Sequence, residues 1–134
     1  MSASENAALA RRAYELFSTG KSEDVVAYAA DDVEVILHPF GQTFHGKDGF
    51  RDFMSGFTTA FPDITITVTN QVADETQVTS EFTAMATHTG VLKTPAGDVP
   101  PTGRAVEFTV CEVWTVRDGQ IASLRNYQDA GSIM

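Results

Sequence analysis

The 134-residue chain sets nine Lys and Arg against eighteen Asp and Glu, a formal charge of −9, and has one cysteine. A chain of this size forms one domain and buries about two-thirds of its unfolded surface, and a 43% hydrophobic share supplies the core and argues against disorder. With no cluster of cations, nucleic acid is excluded as a partner and an anionic membrane is disfavoured. The single Cys111 excludes an intrachain disulfide framework and a cysteine-rich zinc site. No run approaches the roughly 18 apolar residues of a membrane span, and the first twelve residues lack a basic segment followed by an apolar one. The expectation is one cytoplasmic domain over residues 1–134, with small molecules or other proteins as partners.

The first element reads as a helix. Leu9, Ala13, Leu16 and Phe17 recur at helical spacing, Ser2 and Glu5 can form a capping box, and Gly20 stops the run. A second short helix opens at Ser22, with Glu23 and Asp24 where the helix dipole favours anions and Val25, Val26 and Ala29 as its apolar side. Val33–Leu37 reads as a strand ended by Pro39 and Gly41. The third helix has the clearest pattern in the chain. Phe50, Phe53, Met54, Phe57 and Phe61 fall at i, i+3, i+4, i+7 and i+11, and Pro62 ends it. Such a stripe wants a broad apolar surface such as a sheet.

From Ile64 the period becomes two. Ile64, Ile66 and Val68 alternate with threonines. After a hairpin at Asp74-Glu75, Val78, Ser80, Phe82, Ala84, Ala86 and His88 share one face of a second strand. Thr89 to Gly103 reads as a loop. Val106, Phe108, Val110, Glu112, Trp114 and Val116 share one face of a long strand, and Asp118-Gly119 suits a type I′ hairpin because both residues tolerate positive φ. The last strand is expected to carry Ile121, Ser123, Arg125, Tyr127 and Asp129 in one phase. Helices first and an antiparallel meander after them indicate α+β.

Glu112 stands out because five apolar residues share its strand face. A carboxylate there is costly unless hydrogen-bonded or paired, and desolvation would raise its pKa into a range useful for acid–base work. It could equally pair with Arg125 or face a wet cavity without reacting. Asp129 ends its strand as a cap or as a reacting group. His88 closes an apolar face as a core, rim or pocket residue, and Trp114 is core or pocket wall. His38 and His45 flank a loop with no standard metal spacing. There is no Gly-x-Ser-x-Gly elbow, phosphate loop or dinucleotide fingerprint, and Cys111 faces away from Glu112 without an obvious base.

Five segments in order carry a resemblance: Phe61-Pro62-Asp63, Thr87-His88-Thr89-Gly90, Pro100-Pro101-Thr102-Gly103-Arg104, Asp118-Gly119-Gln120-Ile121 and Tyr127-Gln128-Asp129. With them the chain, from about Leu9 onward, resembles the SnoaL-like polyketide cyclases (ester cyclase type) of the nuclear-transport-factor-2-like superfamily. The resemblance implies an α+β cone, a curved antiparallel sheet with three helices over its concave side and one apolar pocket, also described as a cystatin-like α+β barrel. It implies cofactor-free aldol cyclisation of a small hydrophobic carbonyl compound. The family's acid/base Asp falls on Asp129. The characterised cyclases have Asn before a Pro where this chain has His38-Pro39, and Gln and His where it has Val110 and Glu112.

Two functions of different class follow. In the first, an enzyme abstracts a proton from a carbon acid, with Asp129, Glu112 and His38 as catalytic groups and His88, Trp114, Tyr127, Arg125, Phe57 and Val110 around the substrate; epoxide hydrolysis using Arg125 beside Asp129 is a variant. In the second, the pocket only binds a hydrophobic ligand, or the domain serves as a dimeric module through a sheet face bearing Thr109, Cys111, Val113 and Thr115. No metal or cofactor is expected, and a homodimer is.

Overall fold

The computed structural model describes residues 2–129. Helix α1 (Ala3–Ser18) opens with the anticipated capping box: Ser2 Oγ accepts from the Glu5 backbone N–H at 3.1 Å, and the Glu5 carboxylate accepts from the Ser2 N–H at 3.2 Å. The short helix α2 (Ser22–Val26) buries Val25 and Val26. Strand β1 (Ala29–Leu37) begins four residues earlier than the hydrophobic run suggested, with Ala29 and Ala30 already buried. A single 3₁₀ turn at His38–Phe40 ends on Gly41 in the left-handed conformation and delivers the chain into β2 (Gln42–His45), then α3 (Gly46–Ala60). The remaining strands are β3 (Thr65–Ala73), β4 (Gln77–Thr87), β5 (Leu92–Thr94), β6 (Gly97–Val99), β7 (Ala105–Arg117) and β8 (Gln120–Gln128).

Six strands form one sheet in the order β2-β1-β8-β7-β4-β3, antiparallel throughout except where β1 runs parallel to β8. The expected meander therefore covers β3, β4, β7 and β8, and β1 closes it from the other end of the chain. β5 and β6 pair only with each other, inside the stretch expected to be a loop. The sheet curves over α1 and α3, which turn Leu9, Ala13 and Tyr14, and Phe50, Phe53, Met54 and Phe57, onto its concave side. Every member of the α3 stripe is buried, as are the inward residues of β4 from Val78 to Ala86 and His88 just beyond the strand. Burying one such aromatic side chain contributes about 1.5–3 kcal/mol.

The expected phase of β8 is overturned in its second half. Val116 pairs with Ile121, but Thr115 pairs with Ser123, so Ala122 is an extra residue, a β-bulge beside the Asp118-Gly119 turn. A bulge inserts one residue and exchanges the faces beyond it. Ile121 points inward as expected; after Ala122 the inward residues are Leu124, Asn126 and Gln128, and Arg125 and Tyr127 lie on the outer face. No helix among the described residues is long and apolar enough to cross a membrane.

Candidate functional site

The concave side of the sheet encloses a cavity of about 60 Å³, several times the roughly 10–15 Å³ that one water molecule needs. Phe50, Phe53, Met54 and Phe57 of α3 roof it, and Phe82, Phe108, Val110 and Leu124 form much of its floor. Its polar lining is confined to one edge, where Tyr14 of α1, Glu112 and Trp114 of β7, and Asn126 and Gln128 of β8 come together.

Glu112 is the centre of that edge. It is 4% exposed, with no cation among its partners in the described residues. Three neutral donors hold it instead. Tyr14 Oη and Trp114 Nε1 donate to Oε1 at 2.8 and 3.1 Å, and Asn126 Nδ2 donates to Oε2 at 2.7 Å. Register brings them together, since Glu112 lies directly across from Asn126 on β8, while Tyr14 reaches down from α1 between the rings of Phe82 and Trp114. Burial pushes the Glu112 carboxyl above its ordinary range; the bonds from Asn126, Tyr14 and Trp114 pull the other way without cancelling it. Burial, reinforced by the negative charge of Glu112, holds the Tyr14 phenol well above its usual value, so it remains a donor.

The polar edge continues outward. Gln128 Nε2 donates to Asn126 Oδ1 at 2.8 Å, and Gln128 Oε1 is buried without a hydrogen-bond partner among the described residues. Behind Tyr14, Ser80 is buried and accepts from Gln71 Nε2 at 3.0 Å.

The expected site residues divide into two groups. Glu112, Trp114, Phe57 and Val110 line the cavity together. The others do not. Asp129, just past the end of β8, is exposed and is not a lining residue. Tyr127 is 41% exposed and stacks on the exposed His38 ring on the outer face, with ring centres 4.3 Å apart. Arg125 lies on that face as well, so it neither neutralises Glu112 nor joins an Asp/Arg/Asp arrangement in the cavity. For Arg125 and Tyr127 the physical reason is the bulge at Ala122. His38 is carried outward because it opens the 3₁₀ turn beyond β1. His88 is buried, but its Nδ1 meets Thr102 Oγ1 at 3.1 Å and its ring leans on Phe61, away from the lining.

Sequence reasoning passed over Tyr14, Asn126 and Gln128. Tyr14 sits beside Ala13 and one turn before Phe17 on the apolar stripe of α1, a phenol among apolar neighbours that signals a need for a buried partner. An unbroken alternation from Ile121 puts Asn126 and Gln128 on the outer face, and the bulge at Ala122 turns them inward. No cluster of three or more His, Cys, Asp or Glu side chains positioned for a metal ion occurs among the described residues.

A comparison with curated proteins gives no match. Among solved structures, the chain is similar to a proposed SnoaL-like polyketide cyclase from Jannaschia sp. CCS1, at 20% identity, TM-score 0.87, and 98% and 90% coverage of this chain and that one. It is similar to IdmH from Streptomyces antibioticus, a proposed polyketide cyclase, at 26% identity, TM-score 0.77, and 95% and 94% coverage. A proposed ketosteroid isomerase from Kribbella flavida DSM 17836 matches at 17% identity, TM-score 0.71, and 95% and 79% coverage. The fold is thus the nuclear-transport-factor-2-like, ketosteroid isomerase-like α+β fold. A SnoaL-like domain profile matches residues 10–124. With that match spanning most of its length, the chain belongs to the SnoaL-like domain family.

Proposed function

We propose that the cavity binds a small hydrophobic carbonyl compound and that Glu112 removes a proton from the carbon beside its carbonyl group. The observation that carries this reading is a carboxylate buried in an apolar cavity with neutral donors only and a raised pKa. A general base needs a pKa near the working pH and a free lone pair facing its substrate. Tyr14 and Trp114 occupy both lone pairs of Oε1, whereas Oε2 receives only Asn126, so Oε2 keeps one.

In the proposed step the C–H proton passes to Glu112 Oε2 and the C–H electron pair becomes an enolate. The enolate carbon attacks a second carbonyl carbon of the same molecule, the new C–C bond forms, and the displaced π pair becomes an alkoxide that takes the proton back from Glu112. With proton return to a different carbon, the same base performs an isomerisation. The membership in the SnoaL-like family and the proposed cyclases among the structural neighbours support this class of reaction. Glu112 takes the role expected for Asp129, which is exposed and outside the lining.

The test is exchange of the α-protons of 2-tetralone, a bicyclic apolar ketone, in deuterated buffer. Wild type is expected to catalyse it, Glu112→Gln to lose at least about 100-fold, the low end for a general base, and Asp129→Asn to retain the rate. Loss in Asp129→Asn with retention in Glu112→Gln restores Asp129 as the base. One observation favours a second reading: the carboxylate is already bound at both oxygens, which suits a residue that only shapes a ligand pocket. On that reading 2-tetralone binds and wild type exchanges nothing. Under either reading we propose a homodimer, tested by sedimentation.

A further inference from the structure

With Glu112 ionised, Tyr14, Glu112, Asn126 and Gln128 form a chain of hydrogen bonds whose direction is fixed. Trp114 Nε1 can only donate, so the atom it meets on Glu112 is an acceptor; the carboxylate accepts at its other oxygen as well. Asn126 must then turn its Nδ2 towards Glu112 and its Oδ1 towards Gln128, and Gln128 must answer with Nε2. What remains at the far end is Gln128 Oε1, a buried acceptor in a cavity-lining residue with no partner among the described residues. Buried polar groups are nearly always satisfied, so an orphan in a cavity-lining residue calls for a partner, a water or a ligand atom.

We infer that Gln128 is the specificity-determining residue of the cavity and that its Oε1 takes a hydrogen bond from a hydroxyl or N–H group of the ligand, so that the ligand is an apolar molecule carrying one donor. The inference rests on the cavity being the ligand site, but needs no proton transfer. It narrows the substrate class from any apolar ketone to hydroxylated or enolic ones, such as a hydroxylated aromatic ring.

The relay makes the polarity of this contact depend on residue 112. In Glu112→Gln, Trp114 still demands an acceptor at the Oε1 position, so the new amide nitrogen occupies the Oε2 position and faces Asn126. Asn126 has to flip to offer Oδ1, its Nδ2 then faces Gln128, and Gln128 flips in turn to offer Oε1 to it. The orphan at the end becomes an NH₂ group. A substitution two residues removed from the ligand contact therefore converts the contact from acceptor to donor.

The experiment measures calorimetric affinities for 2-naphthol, which carries a donor, and 2-methoxynaphthalene, which accepts only. Wild type is expected to prefer naphthol by at least about tenfold, the scale of leaving one buried polar group unmet. Gln128→Leu and Glu112→Gln are both expected to bring the ratio within about threefold of unity, since naphthol can accept from NH₂ as the ether does. Equal affinities in wild type, no binding of either probe by wild type, or a wild-type ratio in Glu112→Gln overturns the inference. Where Glu112→Gln fails to fold, Gln128→Leu decides alone: an unchanged ratio refutes the assignment, and a collapsed ratio upholds it. Failure of the proton-transfer reading is seen separately, as absence of 2-tetralone exchange while the binding ratio stands.

Discussion

Replacing Tyr14 by Phe removes a single oxygen from the site and leaves the ring that packs at 4.8 Å on Phe82 and 5.2 Å on Trp114. That oxygen donates to Glu112 Oε1 at 2.8 Å inside the protein. A hydrogen bond to a charged group contributes about 1.5–3 kcal/mol, and a neutral one about 0.5–1.5 kcal/mol. The cost of Tyr14→Phe therefore depends on whether Glu112 is ionised. At pH 8 the carboxylate loses one of two donors at Oε1, and the expected destabilisation is about 2 kcal/mol. At pH 4, below the ordinary value of 4.5 and further below the raised one, the carboxyl is neutral and the cost falls to about 1 kcal/mol. The assay is equilibrium urea unfolding of both proteins at the two pH values; titrations elsewhere in the molecule cancel in the difference. Loss of the donor also raises the Glu112 pKa further, which moves the midpoint between the two costs upward. An identical cost at both pH values refutes the claim that Tyr14 acts by holding an ionisable carboxylate.

Glu112 also makes its own contribution to the pH dependence of stability. Its folded pKa is raised, so the folded chain holds the proton to higher pH than the unfolded chain does. Stability from the neutral carboxyl is fully present below about pH 4.5 and is lost as pH rises through the folded value, at about 1.4 kcal/mol for each unit of separation. Glu112→Gln is expected to lack this decline when urea midpoints are compared from pH 4 to 9, and an unchanged decline assigns it elsewhere. At Gly90, a Cβ would stand 1.8 Å from the Thr59 backbone oxygen and 2.8 Å from its carbon. Because backbone cannot swing aside as a side chain does, Gly90→Ala is expected to cost at least the roughly 1–3 kcal/mol of overpacking in urea unfolding; a cost below 0.5 kcal/mol, roughly the surface-substitution range, refutes that contact. At the start of α1, Ser2→Ala removes the bond that Ser2 Oγ accepts from the Glu5 N–H and leaves the one the Ser2 N–H donates to the Glu5 carboxylate; it is expected to cost about 1 kcal/mol in the same assay.

How much of this was legible in the sequence depended on whether one periodicity governed a whole element. The α3 stripe from Phe50 to Phe57 and the inward faces of β4 and β7 were read correctly because their apolar residues repeat without interruption. The Asp118-Gly119 hairpin was also readable, and both residues have the positive φ anticipated, 54° and 74°. The bulge was not. Ala122 carries no turn residue or charge to announce it, yet it exchanges Arg125 and Tyr127 for Leu124, Asn126 and Gln128 on the concave face. Strand β2 was read as loop because Gln42-Thr43-Phe44-His45 has only one apolar residue, and its pairing with β1 supplies what its own sequence lacks. Strands β5 and β6 are three residues each, too short for any alternation to register. The site was half legible for the same reason: Glu112 lies in an unbroken strand, its partner Asn126 beyond a bulge.

The stability balance around Glu112 bears on why an acid stands there. A buried carboxylate without a cation is among the costlier arrangements a core can hold, and an apolar residue of similar size usually removes that cost. Three donors are committed to offsetting it, from α1, β7 and β8, and they reduce the rise in its pKa without abolishing it. Most of the other seventeen acids need no such support; Asp32, Glu23 and Asp48, for instance, meet arginines at the exposed surface. The chain thus places one acid where it destabilises the fold and surrounds it with groups that hold its orientation, beside a cavity that is otherwise apolar. Expensive, well-oriented and raised in pKa is the combination that acid–base chemistry requires and that packing alone does not. The −9 charge of the whole chain says little about its chemistry; the proposed chemistry rests on Glu112, the one acid side chain buried among the described residues.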